Sequence, residues 1–355
     1  MVLGLGLGGV GCQAWPGRSA GDSAPRVVVS DGWLAMGTFF DVDLRVAPEE
    51  VSAAETWLSW AREELARREK IYSRYDPESQ LSALNQALAG EKLVDDAEEI
   101  SAELALLIDR AFGVWAETGG AFDPTVGPLI EAWDQAARRD EWPSSAALRS
   151  AKARTGANLL VLNPNLNVNA GLASERVPNR IRAKASGLRL DLDGISKGAV
   201  LDHLGDSFRH SFPNAAALFS FGESSLLAVG DPDGGGWRLG VNSRDPAVGV
   251  LALLSLRDRA LSISSSVGSV RVIQGESVSH IVDARTGSVV VGVAEAVVIG
   301  ESAADADAWS TALLVLGARK DTIRMVERAG LDAYIFEQTG GRTVSSENWS
   351  DFIAQ

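Results

Sequence analysis

Cysteine is the scarcest residue in this chain: Cys12 stands alone, so no intrachain disulfide can form and no metal site can be built from thiolates. Histidine is nearly as scarce, with only His203, His210 and His280, and a lone histidine is ordinarily structural or at the surface. Cationic side chains are outnumbered, 33 against 47 acids, for a net charge of −14. With no basic face, nucleic acid is excluded as a partner. A phosphate-bearing cofactor is not, because local donors and a metal suffice to bind one. No solenoid-type repeat is present. What is there is globular: 46% hydrophobic residues and 36 glycines in 355 positions, a length that fits one large domain or two fused lobes.

The first residues carry two features that need separating. Gly4-Leu5-Gly6-Leu7-Gly8-Gly9 satisfies G-x-G-x-x-G, but no strand precedes it, so it lacks the context of a nucleotide site. Met1 to Gly11 is small and apolar, Cys12 follows, and Gln13 to Pro25 reads as a linker. That pattern resembles the end of a bacterial lipoprotein signal without its basic n-region. Two readings stay open: a signal whose start is assigned too late, with a lipid anchor at Cys12, and a plain tail. The expectation is export and anchoring on the extracytoplasmic side, with the cytoplasm as the alternative.

Along the chain, Phe40 to Val46 alternates strictly, as a half-buried strand does. Pro48-Glu49-Glu50 opens a helix running to about Tyr72. A second helix is expected from about Ala97 to Glu117, with the acids of Asp95 to Glu99 at its solvated start and Gly119-Gly120 as its stop. A third begins near Ser144. Asn163 to Lys184 is polar and reads as an extended loop. Strands are expected at 218–221, 226–229, 237–241, 250–256 and 270–273, then a helix carrying Asp307 and Thr311, another over 320–329, and a closing strand near 333–337. Strands and helices do not alternate regularly, which predicts an α+β fold with mostly antiparallel sheets flanked by helices. The expected division is a tail over 1–31, one domain over 32–345 and a C-terminal tail over 346–355.

One segment dominates the functional reading. Leu188 to Leu192 alternates like a strand and runs into Asp193-Gly194-Ile195-Ser196-Lys197-Gly198, after which Val200, Leu201, Leu204 and Phe208 fall at helical spacing. A helix start offers unpaired N–H groups and a positive dipole end, and Lys197 adds a point charge suited to phosphate. The plain alternative is an ordinary strand-to-helix connection. Asp307 and Thr311 lie one turn apart on one helix face. Carboxylate, hydroxyl and a main-chain carbonyl form a hard-oxygen set suited to Mg²⁺, although such a pair also serves as a cap or a solvated face.

Read together, Gly119 to Leu129, Leu190 to Gly198, Ser279-His280-Ile281-Val282-Asp283-Ala284-Arg285-Thr286-Gly287 and Ala306 to Leu313 resemble the FAD:protein FMN transferases, the ApbE-like flavin transferases. Met36-Gly37-Thr38 and Tyr72 to Asn85 match more weakly, and the resemblance covers about residues 33 to 340. It implies an ApbE-like, T-fold-related domain. It also implies Mg²⁺ held by Asp307, Thr311 and the Gly194 carbonyl, and FAD against Met36, Tyr75, Ala121, Phe122, Asp123, Asp191, Lys197 and Ile281. His280 is then the general base for a Ser/Thr hydroxyl of an acceptor protein, expected to be a redox-chain subunit, with AMP released. The plain readings are core for Met36 and Ile281, a half-buried aromatic for Tyr75, a turn former for Asp123, and a water-facing strand residue for Asp191.

Four positions depart from the family pattern. Asp193 replaces the first of two usual glycines, as an extra metal ligand or a source of repulsion. Ser220 to Ser225 replaces an Asn-x-Gly-Gly-Asp loop, Ala199 an aromatic, and Ala284 a proline. The rivals are an FAD pyrophosphatase, with water as acceptor, and a flavin-binding protein without turnover.

Overall fold

A computed structural model describes residues 25–90, 96–163, 179–222, 224–244, 249–267, 270–337 and 341–354. Cys12 and the N-terminal glycine run lie outside the described residues. The chain opens with strands β1 (Val27–Ala35) and β2 (Thr38–Val46), then helices α1 (Val51–Tyr72) and α2 (Gln80–Ala89). Strand β3 (Glu98–Ile100) precedes α3 (Ala102–Glu117), α4 (Gly127–Arg139) and α5 (Ser145–Lys152). Strands β4 (Leu160–Asn163) and β5 (Asn179–Ala183) lead to α6 (Asp193–Ser211). The strand-rich part runs β6 (Ala216–Phe221), β7 (Ser225–Val229), β8 (Trp237–Asn242), β9 (Val250–Leu256), β10 (Arg259–Ser265), β11 (Val270–Ile273), β12 (Glu276–Ser279) and β13 (Val293–Gly300). Helices α7 (Ala303–Leu316) and α8 (Lys320–Arg328) and strands β14 (Asp332–Glu337) and β15 (Thr343–Ser345) close it.

The fold is α+β. An eight-stranded sheet in the order β1-β2-β6-β7-β10-β13-β14-β15 is antiparallel at every junction. Its strands alternate between two cores. Ala217, Phe219, Phe221, Leu227, Val229, Ala296 and Val298 face helices α1, α6 and α7. Ala216, Leu218, Leu226, Ala228, Val297 and Ile299 face the β8–β9 hairpin. Both parities are apolar because both faces are covered, so these strands read as continuous hydrophobic runs. A third, smaller core joins Leu129 and Trp133 of α4 to Ile273 and Val278 of the β11–β12 hairpin. Among the described residues no helix is long and apolar enough to cross a membrane.

Several expectations are corrected by longer-range pairing. The helix expected from Ala97 starts at Ala102, where the Ser101 hydroxyl accepts from the Leu104 N–H at 3.2 Å. The acids Glu98 and Glu99 sit on β3, paired to β5, not on a helix start. Residues 179–183 of the expected loop form the middle strand of the β3-β5-β4 sheet, and 164–178 lie outside the described residues. Residues 27–31 are already strand, and Trp349 is buried in the second core, stacked on Tyr334 at 5.4 Å. The alternating segment Leu188 to Leu192 joins no sheet. Its backbone is instead captured by Asn85, whose amide donates to the Leu190 carbonyl (2.9 Å) and accepts from the Leu190 N–H (2.7 Å).

Candidate active site

The site is assembled where α6 crosses α7. Gly198 permits the crossing: a Cβ there would come within 2.1 Å of the Ala303 carbonyl oxygen. The Asp202 carboxylate, one turn further along α6, accepts from the N–H groups of Ala303 (2.7 Å) and Ala304 (3.1 Å) and so fixes the start of α7. Asp307 follows one turn later, 4% exposed, a position no solvated face would give it. Its carboxylate accepts from the Gly198 N–H at 3.2 Å, the Ser225 hydroxyl at 3.2 Å and the Ser262 hydroxyl at 3.4 Å.

The strand beneath α7 explains this polar inset. On β10, Leu261 and Ile263 point into the second core, so Ser262 and Ser264 point toward α7. Ser262 and Ser264 each reach Ser310 (3.2 and 2.7 Å), and Ser264 also reaches Thr311 (3.3 Å). Every hydroxyl in the layer therefore has a partner, as burial requires. The Gly194 backbone lies against the same helix: a Cβ on it would stand 3.2 Å from the Thr311 Oγ1 and 3.3 Å from the Phe122 ring.

These groups open onto a cleft of about 690 Å³. Tyr75, Ala121, Phe122, Asp123, Asp191, Gly194, Lys197, His280, Ile281, Asp307 and Thr311 all line it, although they come from five stretches of sequence. Met36 is not among the residues that line it. It occupies the β1–β2 turn at φ 48°, followed by Gly37 at φ 75°, the two positive angles of a two-residue hairpin turn, and packs against the first core.

Individual roles are set by local bonds. Asp191 is not water-facing: it is 9% exposed, caps the first turn of α6 through the Asp193 N–H (3.0 Å) and pairs with Arg74 at 3.1 Å. Burial and the Asp193 charge push its carboxyl above the usual range, against the pull of Arg74. Asp123 does form the turn expected of an Asp-Pro pair, accepting from the Thr125 N–H (2.8 Å) and hydroxyl (2.6 Å), and also holds Trp115. Burial raises its carboxyl, opposed by the Thr125 bonds. Lys197 donates to the Asp193 carbonyl at 3.2 Å from within α6, not from a loop. Past Ile281, Val282 and Ala284 still line the cleft, and the rest of the histidine block is tied up in local bonds. Asp283 accepts from the Arg285 backbone and side chain, both at 2.9 Å, and the Gly287 carbonyl accepts from Trp133 at 3.0 Å.

Sequence reasoning missed Arg74, Arg244 and Arg271, which also line the cleft. The serines beneath Asp307 had a faint signal, the run Ser262 to Ser266 in an otherwise apolar strand region. The divergent loop at 220–225 bears on the site through Ser225 on Asp307, while Glu223 lies outside the described residues.

A sequence profile of the ApbE family matches residues 36–335. The FAD:protein FMN transferase of Escherichia coli K12 is 26% identical, the alignment covering 99% of this chain and 96% of the relative. That of Treponema pallidum is 28% identical over 77% of this chain and 75% of its own. Among solved structures, the apo flavinyl transferase ApbE of Pseudomonas stutzeri superposes with a TM-score of 0.76 at 24% identity, covering 94% of this chain and 99% of its own. The Thermotoga maritima ApbE protein gives 0.78 at 24% identity, with 93% and 100% covered. At these identities the superpositions establish the shared fold.

Proposed function

The chain belongs to the ApbE family, and on that premise we propose that it is an FAD:protein FMN transferase, moving the FMN half of FAD onto a Ser or Thr hydroxyl of a partner protein. The carrying observation is convergence: an oxygen donor set, a helix N-terminus with Lys197, and His280 share one cleft. Asp307, Thr311 and the Gly194 carbonyl offer one carboxylate, one hydroxyl and one carbonyl. Few protein ligands suit Mg²⁺, which keeps waters and substrate phosphates in its shell. Bound there, the ion would supply charge neutralisation for the diphosphate and for the departing AMP.

The residues of the chain divide the remaining work. The first turn of α6, capped by Asp191, presents N–H groups to the diphosphate, and Lys197 adds its charge. Phe122 and Ile281 supply apolar walls, and Tyr75 stands 71% exposed at the mouth. The acceptor oxygen attacks the phosphorus on the FMN side. The new P–O bond forms as the phosphoanhydride P–O bond breaks, and the bridging oxygen leaves on AMP. His280 takes the hydroxyl proton, which an alcohol must lose to become an effective nucleophile.

The test is incubation with FAD and Mg²⁺, with and without an acceptor domain, followed by acceptor mass. A gain of one FMN phosphoryl group is expected. Free FMN with an unmodified acceptor would mark a pyrophosphatase, and FAD bound without turnover a carrier. In calorimetry, FAD should bind more tightly than FMN or NAD. Equal FMN and FAD affinity would remove the basis for recognition of the adenosine half.

A further inference from the structure

Asp193 places a second carboxylate beside Asp191 at the N-terminal turn of α6, the end of the cleft that the reading above assigns to a diphosphate. Two acids there would repel an anionic substrate. Both are engaged by one side chain distant in the sequence: Arg74 Nε lies 2.8 Å from Asp193 Oδ2 and 3.1 Å from Asp191 Oδ2. The same guanidinium covers the Tyr75 ring at 4.3 Å from its centroid and donates to the Tyr75 hydroxyl, which in turn donates to Asp193 at 2.9 Å. Arg74 is shielded, at 19% side-chain exposure, whereas Asp193 is 41% exposed at the cleft.

We propose that Arg74 is a positioning residue for the flavin dinucleotide. It neutralises the Asp191–Asp193 pair so that the α6 N-terminus stays attractive to phosphate. The inference rests on the FAD-binding reading of the same cleft. Asp193 is then tolerable in this chain because Arg74 answers it. The two side chains should behave as a unit: removing the cation alone exposes the repulsion, and removing both relieves it.

Flavin fluorescence titration tests this without turnover or metal, using FAD and riboflavin as probes. For Arg74→Met, FAD affinity should fall at least about tenfold, equivalent to 1.4 kcal/mol, while riboflavin, which lacks phosphate, binds as before. Asp193→Gly on that background should restore most of the FAD affinity. Unchanged FAD binding in Arg74→Met would overturn the proposal. Equal losses for FAD and riboflavin would overturn it too, because they would indicate a structural role in the pocket wall. Failure of Asp193→Gly to rescue would also overturn it, since Arg74 would then contact the phosphates itself. An unaltered protein that bound no FAD would overturn the underlying reading as well, and so is distinguishable from all three.

Discussion

The two faces of β10 make an instructive contrast. One face carries Leu261 and Ile263 into an apolar core shared with Val297, Ile299 and Trp237. The other carries Ser262 and Ser264 to Asp307, Ser310 and Thr311, within a layer whose neighbours are Phe219, Val298 and Trp309. The same backbone therefore supports a stabilising surface and a chemical one, separated by a single residue of register. The second face gives up apolar burial for a chain of hydroxyls that positions one buried carboxylate. Over residues 261–264 apolar and hydroxyl side chains alternate by strand parity, with Ile263 also reaching the edge of the cleft.

The strongest way to break that division is Asp307→Asn. Asparagine keeps the side-chain oxygen for Ser225 and Ser262 but removes the charge and turns an amide NH2 toward the Gly198 N–H, so Mg²⁺-dependent transfer should drop to background with only a modest fall in melting temperature. Retained activity with retained metal dependence would remove Asp307 as a ligand. Alanine would serve less well, because it leaves three buried donors unanswered. On the facing wall, His280→Ala should keep FAD binding and lose transfer by about a hundred- to ten-thousand-fold. Near-normal transfer would exclude His280 as the base, and loss of FAD binding would make it a packing residue beside Ile281.

A matched pair on β10 sharpens the contrast in stability. Leu261→Ala should cost about 2–5 kcal/mol in denaturant unfolding, as core truncations do. The adjacent Ser262→Ala should cost about 1 kcal/mol yet reduce turnover more than Leu261→Ala does. The reverse ranking in both assays would show that parity does not separate the two roles.

The smallest effect lies away from both faces. Glu64 bonds Arg67 and Arg68 at 2.8 Å each, and the Arg67 bond foremost pulls its carboxyl down to about 2 from 4.5. A depressed acid contributes stability above its unfolded value, and that stability is lost as pH falls toward the folded one. The unaltered protein should therefore lose slightly more stability than Glu64→Gln between pH 4.5 and 2, by less than about 1 kcal/mol given solvent screening. A steeper loss in the variant would reverse the sign and reject the assignment.

Elements whose signals are local can be read directly from the residues. Alternation over Phe40 to Val46 specified β2, Ser144 marked the start of α5, and the spacing of Val200, Leu201, Leu204 and Phe208 marked α6. The proposed site positions come from family blocks that survive as short contiguous strings, and one cleft gathers all twelve except Met36. Other features emerge only on packing. Leu188 to Leu192 alternates like a strand, but Asn85 reaches its backbone before any ladder can. Ser262 and Ser264 acquired a role only when α7 covered their face, and Arg74 found Asp193 only once α1 and α6 had packed. The physical reason is range: caps, turns and periodicity act over a few residues, whereas pairing a charge or placing a hydroxyl depends on which distant surface the closed core brings against it.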